Sequence, residues 1–313
     1  MNLLETSPST DRRGFAFYPT VPPISLELTN RCNLKCPYCA NGTLTRRRGD
    51  IEWSLLEKIV GECAGGRHSI DWLHGTGEPL LWDRLEDVIR LIKSRDAGKA
   101  SFATNATLLY ADRVASLLAA GLRSIYVSLD SFSPDVYAAT RGGDHVKVIR
   151  NIRTMIAMVP PDFDVTVALM NHKDQTVTAA DRQLARVLFG PEERIRLNVI
   201  ECSNPPSARA DYRRFHVKVD QCHLPGEYFF IAIDGRVALC GADQDLLHVI
   251  GDTNRESIDE IWFKEANQIT FRNIASGISR CPDVCTKRCH LKEPTIDAAP
   301  PASPTRPRFP FLP

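Results

Sequence analysis

Three cysteines lie close together near the start of the chain, at Cys32, Cys36 and Cys39. Thiols at this C-x3-C-x2-C spacing cannot all pair with one another as disulfides, and they are one ligand short of a closed tetrahedral zinc site. They suit a [4Fe–4S] cluster in which one iron has no protein ligand and is open to chemistry. A zinc knuckle that takes its fourth ligand from elsewhere is the alternative.

The motif resembles the cysteine signature of the radical S-adenosylmethionine (SAM) superfamily. The resemblance implies that Cys32, Cys36 and Cys39 hold a [4Fe–4S] cluster whose open iron chelates the amino and carboxylate groups of SAM. It also implies that the reduced cluster cleaves SAM to methionine and a 5′-deoxyadenosyl radical. The electron donor expected for such an enzyme is a flavodoxin or ferredoxin.

The elements around this motif predict an α/β fold. From residue 24 to about 200, short apolar runs alternate with amphipathic helical patterns, which is typical of a parallel sheet with helices outside. Capping boxes are predicted at residues 54–57 and 83–86, and a helix end at Gly121. Six such units resemble the partial (β/α)6 TIM-like barrel of radical SAM enzymes. The predicted strands are 24–28, 70–74, 101–103, 124–129, 164–169 and 195–199.

Parallel barrels gather their active groups at the carboxyl ends of the strands. The sequence His74-Gly-Thr-Gly-Glu-Pro79 follows the second strand and resembles the family's Gly-Gly-Glu-Pro motif, which contacts the SAM amino group, although Thr76 stands where a second glycine is common. Residues 104–106 resemble the family's Thr-Asn-Gly, and residues 127–131 occupy the position of its ribose-binding residues. The cofactor-binding residues implied are Gly75, Gly77, Glu78, Pro79, Asn105, Ser128 and Asp130.

A second cysteine-rich module follows. Its alternating residues 231–240 surround Asp234-Gly235, which predicts a β-hairpin, and a helical pattern comes after them. The module resembles the auxiliary-cluster domain called SPASM, or its shorter twitch form, and its five cysteines favour one auxiliary [4Fe–4S] cluster. A structural zinc site of four cysteines is the rival. The implied ligands are Cys222, Cys240 and two of Cys281, Cys285 and Cys289.

These patterns divide the chain into an N-terminal extension (1–20), a radical SAM core barrel (21–205), an auxiliary-cluster domain with a hairpin and a helix (206–292) and a disordered proline-rich tail (293–313). With 39 basic and 38 acidic residues the net charge is +1, so bulk electrostatics do not indicate a nucleic-acid partner. No apolar run approaches the roughly 18 residues of a membrane span. The expected location is the cytoplasm, where thiols stay reduced.

Several residues have both a chemical and an ordinary interpretation. Cys202, past the sixth strand, is the candidate to donate a hydrogen atom to a substrate radical, or else a buried loop cysteine. Cys63 is expected to be a core residue, and the run Arg46–Arg48 a solvated face. Three histidines adjoin the motifs and are each either structural or exposed: His74, His223 and His290.

Three functions are compatible with these residues. The first is dehydrogenation or epimerisation of a small polyol, amino sugar or aminocyclitol, because the length and the ligand count resemble those of such radical SAM enzymes. The second is a peptide maturase that forms a crosslink, thioether or epimer; the roughly 20 residues before the barrel are short for a peptide-recognition domain. The third is a non-catalytic iron–sulfur or zinc scaffold, for which residues 75–79 and 128–130 would have no use.

Overall fold

The structure is a computed structural model that describes residues 9–10, 16–171, 175–191, 194–201, 224–276 and 282. Five of the cysteines with a predicted role lie outside the described residues: Cys202, Cys222, Cys281, Cys285 and Cys289. So do His223, His290 and the predicted tail. The predicted domain boundary at residues 205–206 also falls outside them and stays a prediction.

Six parallel strands form the main sheet, as predicted, with ends that shift by one or two residues. A short β-bridge between Trp72 and Ser101 joins its two halves, so that the strands follow in chain order. After a small pair, β1 (Ser9–Thr10) and β2 (Ala16–Phe17), the six strands are β3 (Ile24–Leu26), β4 (Ile70–Trp72), β5 (Phe102–Thr104), β6 (Ser124–Asp130), β7 (Asp164–Asn171) and β8 (Arg196–Glu201).

Helices cover the outer face of this sheet because alternate residues of each strand point outward. Ile24 and Leu26 of β3, for example, belong to the large core shared with the helices. A smaller cluster on the opposite face contains Ala103, Tyr126 and Ala168. The helices are α1 (Trp53–Cys63), α2 (Leu85–Ser94), α3 (Ala111–Ala119), α4 (Pro134–Thr140), α5 (His145–Met158) and α6 (Ala179–Phe189).

Both predicted capping boxes are wrong, although the helices exist. Helix α1 begins at Trp53 with Glu52 at its N-cap position, so that Ser54 lies inside the helix and cannot cap it. The Trp53 ring packs on the Trp82 ring, and the Arg84 guanidinium lies 3.4 Å from its centre. Helix α2 begins at Leu85, and its Glu86 instead accepts a hydrogen bond from Ser116 of α3. The side chain is thus used between helices and not at a cap.

Helix α3 ends as predicted. Gly121 follows it with φ +97, a left-handed conformation that glycine adopts at little cost. Helix α4 was not predicted, since it has only seven residues, but its start is ordinary: Ser133 caps the backbone N–H of Val136, and Pro134 occupies the first turn.

The second module extends the same sheet. Strand β9 (Phe229–Ile231) pairs in parallel with β3, while β10 (Arg236–Ala238) and β11 (Val249–Asp252) continue antiparallel. The predicted hairpin turn is confirmed: Gly235 has φ +85. Helices α7 (Ile258–Phe263) and α8 (Glu265–Ser276) follow, and Trp262 packs its ring on Phe271 at 4.6 Å between centres. No described helix is long and apolar enough to cross a bilayer.

Candidate active site

The loop after β3 carries the three cysteines; we call residues 27–50 the cysteine loop. It is held by side-chain bonds to its own backbone. Asn41 Nδ2 donates to the carbonyl oxygens of Asn30 and Thr76, each at 2.8 Å. The Arg48 guanidinium donates to the carbonyl of Asn30 at 2.9 Å and to Asn41 Oδ1 at 2.8 Å. The loop is therefore shaped by polar contacts and is anchored to the segment after β4.

The thiols of Cys32, Cys36 and Cys39 are half-buried. Burial raises the pKa of all three, that of Cys39 to about 12, and the charges of Cys36 and Cys32 add to the effect at Cys39. A metal centre would have to displace these protons. No three described His, Cys, Asp or Glu side chains surround one point as a single metal ion requires. A cubane does not require it, because each thiolate binds a different iron.

Glu78 joins the segment after β4 to the segment after β5. Its carboxylate is buried and accepts hydrogen bonds from Thr104 Oγ1 at 2.7 Å, from the Asn105 N–H at 2.8 Å and from the Leu80 N–H at 3.2 Å. Burial raises the pKa of Glu78, and these bonds oppose the rise. The Glu78 N–H donates to Arg31 O at 2.8 Å, which brings the carboxylate beside the cysteine loop.

Asn105 lies against the same loop. Its Nδ2 donates to Asn33 Oδ1 at 2.9 Å and is 4.0 Å from Cys32 Sγ. Asn33 Nδ2 in turn donates to Thr107 Oγ1 at 2.8 Å. Ala106, where the family's motif has glycine, has φ +59, so this position needs the left-handed conformation that the family's residue adopts freely.

Gly75 and Gly77 are glycines because neighbouring atoms occupy the place of a side chain. A Cβ on Gly75 would lie 2.6 Å from Glu27 Cγ, and one on Gly77 would meet the carbonyl oxygens of Thr29 and Arg31, the latter at 2.7 Å. The turn that contains both glycines is therefore packed onto the cysteine loop. Pro79 begins a short 3-10 helix directly after it.

The end of β6 contributes Ser128, which is half-buried, and Asp130, which is buried. One oxygen of Asp130 accepts the Tyr38 hydroxyl, and the other accepts Arg141 Nη2 at 2.7 Å. Asp130 has φ +68, an uncommon conformation for a residue with a side chain. Tyr38 lies between two of the cysteines, so this network attaches the cysteine loop to β6.

Three buried polar atoms beside this network have no hydrogen-bond partner among the residues that the structure describes: Arg141 Nε, Tyr137 Oη and Gln175 Oε1. Arg141 lowers the pKa of Cys36, against the larger effect of burial, which indicates that its charge lies near that thiol. Unpaired buried polar atoms cost free energy unless a ligand or water satisfies them. The site therefore suits a polar ligand next to the cysteine loop, as SAM would be.

The face of the sheet opposite the helices carries the small side chains of Ala103 and Ala168 beside the ring of Tyr126. Asn198 Nδ2 donates to the Tyr126 hydroxyl at 3.0 Å, and Trp72 packs on the cluster of small residues around Tyr126. Burial lowers the pKa of His74 to about 4, so this imidazole is neutral at ordinary pH. These side chains offer neutral hydrogen-bonding groups and aromatic faces.

Cys240 follows β10 and is half-buried. The loop after it is closed by Asp243, whose N–H donates to Cys240 O at 3.0 Å and whose carboxylate accepts from the N–H groups of Leu247 and His248. Cys63, by contrast, is the last residue of α1 and is buried in the core, as predicted.

The sequence did not reveal two ionic contacts of the site. Arg46 was expected in solvent but is buried and pairs with Glu27 of the cysteine loop, both nitrogens at 2.6 Å from a carboxylate oxygen. Nothing in the sequence around Arg141 predicts its ion pair with Asp130, the second of these contacts. The available signal for Glu27 was a lone acid within an apolar strand pattern, since such a residue needs a buried cation.

Comparison with known proteins agrees with this geometry. Residues 26–182 match the radical SAM superfamily, and residues 222–290 match an iron–sulfur cluster-binding domain, SPASM. The chain belongs to the radical SAM superfamily. The predicted family, the C-terminal SPASM domain and the barrel-type fold are thereby confirmed. A radical SAM enzyme with this domain has a SAM-binding [4Fe–4S] cluster and auxiliary iron–sulfur binding.

Relatives of this radical SAM enzyme match it over part of their length. A GTP 3′,8-cyclase of Alkaliphilus oremlandii is 34% identical over 160 residues, which are 49% of each chain. The tungsten-containing aldehyde ferredoxin oxidoreductase cofactor-modifying protein of Pyrococcus furiosus is 31% identical over 152 residues, 46% of this chain and 42% of that one. The chain spans about half the length of these curated relatives.

Solved structures share its fold at low identity. BtrN in complex with AdoMet and 2-DOIA has a TM-score of 0.59 and 16% identity, with 86% of this chain and 92% of that chain covered. SuiB of Streptococcus suis bound to precursor peptide SuiA has a TM-score of 0.60 and 12% identity, with 82% and 67% covered. These likenesses concern the fold alone.

Proposed function

We propose that this radical SAM enzyme dehydrogenates or epimerises a small polyol or amino-sugar intermediate. When bound, the cluster and SAM supply an electron and a 5′-deoxyadenosyl radical that abstracts a substrate hydrogen atom. The protein positions the reactants and excludes water. The observation that carries the proposal is the packing of the turn at Gly75–Glu78 onto the loop of Cys32, Cys36 and Cys39. The neutral Tyr126–Asn198 pair supports the substrate class.

Glu78 is proposed to bind the SAM amino group. A carboxylate has about four acceptor positions, and Glu78 uses three, two at Oε1 and one at Oε2. The remaining position on Oε2 can accept one N–H of an ammonium group. Gly75, Gly77 and Pro79 shape the approach to it.

The other proposed cofactor contacts come from β5 and β6. Asn105 carries an amide beside the cysteine loop, and Ser128 carries a hydroxyl at the end of β6. Both can form hydrogen bonds with the ribose or the methionine part of SAM. Asp130 is expected to contribute in part through the groups that it orients, because Tyr38 and Arg141 already engage its two oxygens.

Among the described residues, the buried charges near the site favour a neutral or amino substrate over a polyphosphate. The buried guanidinium group of Arg46 pairs with the Glu27 carboxylate, and that of Arg141 pairs with the Asp130 carboxylate. A triphosphate needs several cationic donors that are free to bind it. The Tyr126–Asn198 pair instead offers the neutral donors and acceptors that a sugar hydroxyl requires. GTP cyclisation, the reaction named for several relatives, is the competing candidate.

Product analysis under anaerobic conditions tests the substrate class. The purified protein would be incubated with SAM, reductant and, separately, a panel of aminocyclitols and amino sugars, GTP, and peptides. We expect a product two mass units lighter than its substrate, or an epimer of equal mass, from the first group alone. Turnover of GTP or a peptide instead would overturn the proposed substrate class. An epimer would direct attention to Cys202, the proposed hydrogen-atom donor.

We further propose one auxiliary [4Fe–4S] cluster of the twitch type, with Cys222, Cys240, Cys289 and either Cys281 or Cys285 as ligands. Half-burial of Cys240 beside a loop closed by Asp243 supports a metal ligand at that position. In dehydrogenation, such a cluster would accept the electron left on the substrate radical. Reconstituted protein should bind about eight irons, four in each cluster; a count near four would contradict a second cubane.

The proposed electron donor is an acidic flavodoxin or ferredoxin. The cysteine loop, residues 27–50, contains five basic and two acidic residues, a net +3 in a chain whose total is +1. Arg47 is exposed on this loop. Opposite charges on such surfaces accelerate association of protein partners.

Charge reversal at Arg47 tests this docking. In Arg47→Glu we expect KM for flavodoxin to rise about tenfold in the SAM-cleavage assay, while cleavage driven by titanium(III) citrate stays unchanged. Arg255→Glu, a reversal at an 85% exposed side chain of the second module, is the matched control. Equal KM values for the two variants would exclude the cysteine loop as the docking face.

A further inference from the structure

One buried ion pair connects three parts of the molecule. The Arg46 side chain is 4% exposed and that of Glu27 is fully buried, and the two form a two-pronged contact in which Nη1 and Nη2 each lie 2.6 Å from a carboxylate oxygen. Glu27 follows β3, and Arg46 lies seven residues after Cys39 in the sequence. The pair therefore sits between the two ends of the cysteine loop.

The SAM-binding turn rests on this pair. The Thr76 N–H and hydroxyl both donate to Glu27 Oε1, at 3.1 and 2.9 Å. Gly75 has room for no Cβ because the Glu27 side chain fills that space. Thr76, which departs from the family's glycine, thus has a function in this chain: its hydroxyl binds the carboxylate that fixes the turn.

The second module holds the other side of the pair. The Ile233 N–H donates to Glu27 Oε2 at 3.3 Å, and Arg46 Nε donates to Gln244 O at 2.6 Å. Asp245 Oδ1 accepts the N–H of Thr45 at 2.8 Å and that of Arg46 at 3.4 Å. Gln244 and Asp245 belong to the loop that begins at Cys240.

Arginine is suited to this position, because its planar group makes the fork to Glu27 while its Nε points to a different partner. A buried ion pair is not the most economical way to stabilise a core, since apolar side chains of similar volume often do as well. What the pair adds is a defined geometry between the segments that it joins.

We propose that Glu27 and Arg46 are positioning residues that set the SAM-binding turn against the loop after Cys240, so that the second module fixes SAM affinity. The proposal rests on the proposed SAM cleavage. It assigns no contact between these residues and SAM. Its consequence is that a change in the second module, remote from SAM, alters SAM binding through the pair.

Asp245→Ala tests the connection, because it removes the carboxylate of the second module that accepts the backbone N–H groups of Thr45 and Arg46. Gln244→Ala is the matched control, since the group that binds Arg46 is the backbone carbonyl, which the substitution keeps. We expect KM for SAM in the 5′-deoxyadenosine assay to rise about fivefold or more in Asp245→Ala, with kcat and iron content unchanged. Asp245→Asn, which keeps Oδ1, should restore the KM.

Equal KM values for Asp245→Ala and Gln244→Ala would overturn the proposal. A fall in kcat and in iron content in Asp245→Ala would also overturn it, because the substitution would then damage the whole site. A failure of SAM cleavage itself is distinguishable, because the wild type would then make no 5′-deoxyadenosine. In that event, urea unfolding of Thr76→Val, Asp245→Ala and the double variant tests whether the turn and the second module are coupled. Non-additive shifts of the midpoint support the connection, and additive shifts overturn it.

Discussion

Gly77→Ala is expected to abolish SAM cleavage and to destabilise the protein by about 2–3 kcal/mol. The new methyl group would meet the carbonyl oxygens of Thr29 and Arg31, the latter at 2.7 Å. Both are backbone atoms of the cysteine loop and cannot turn aside as a side chain would. Relief of the clash must separate the turn from the loop, which would move Glu78 away from the three cysteines. Urea unfolding and anaerobic assay of 5′-deoxyadenosine measure the two effects.

Gly42→Ala is the matched control, because Gly42 lies on the same loop and a Cβ there meets nothing within 4 Å. Its stability and its rate of SAM cleavage should stay close to those of the wild type. Wild-type activity in Gly77→Ala would show that the two segments need not be in contact, and it would remove the packing argument for the site.

Glu78→Gln should weaken SAM binding by about tenfold to a hundredfold, which corresponds to about 1.4–2.8 kcal/mol. The amide has one acceptor oxygen, so it cannot accept from Thr104, Leu80 and Asn105 together as the carboxylate does. Its NH2 group would also face the Asn105 N–H or the SAM ammonium. Hydrogen bonds between charged groups are stronger than those between neutral groups, and the proposed bond between the Glu78 carboxylate and the SAM ammonium would be lost. Equilibrium binding of SAM to reconstituted protein measures the change.

Glu86→Gln provides the comparison for Glu78→Gln, since Glu86 is also a buried carboxylate but binds Ser116 and Arg113 between helices. We expect a similar loss of stability in both variants and a loss of SAM affinity in Glu78→Gln alone. Equal SAM affinities would mean that Glu78 has a structural role only.

Much of the fold could be predicted because its determinants are local. Each of the six strands is a short apolar run between helical patterns, and the cysteine spacing is visible without any structure. The hairpin at Asp234-Gly235 follows from a turn that requires a left-handed residue. These features depend on neighbours in sequence, which is what a pattern records.

The contacts between distant segments could not be predicted in this way. Arg46 is one of three consecutive arginines, and nothing local separates it from Arg47, which is exposed. Its burial depends on Glu27, 19 residues earlier, and on Gln244, 198 residues later. A buried charge is recognised by its partner, and the fold alone brings the partners together.

Asp130 shows the same limit within the site. Its type and its place at the end of β6 resemble a ribose-binding residue, and its position there is as expected. Tyr38 and Arg141 both bind it, however, and these contacts arise between the cysteine loop, β6 and the end of α4. The sequence indicates which end of the barrel carries the active site. It does not indicate which polar groups bind each other in the absence of a ligand.

The formation of 5′-deoxyadenosine tests the central claim most directly. Anaerobically reconstituted wild-type protein with SAM and reductant should release it. The triple variant Cys32→Ala, Cys36→Ala, Cys39→Ala should release none while it keeps about half of the iron, in the auxiliary cluster. Undiminished 5′-deoxyadenosine from the triple variant would contradict the account, because the cleaving cluster would then lie elsewhere.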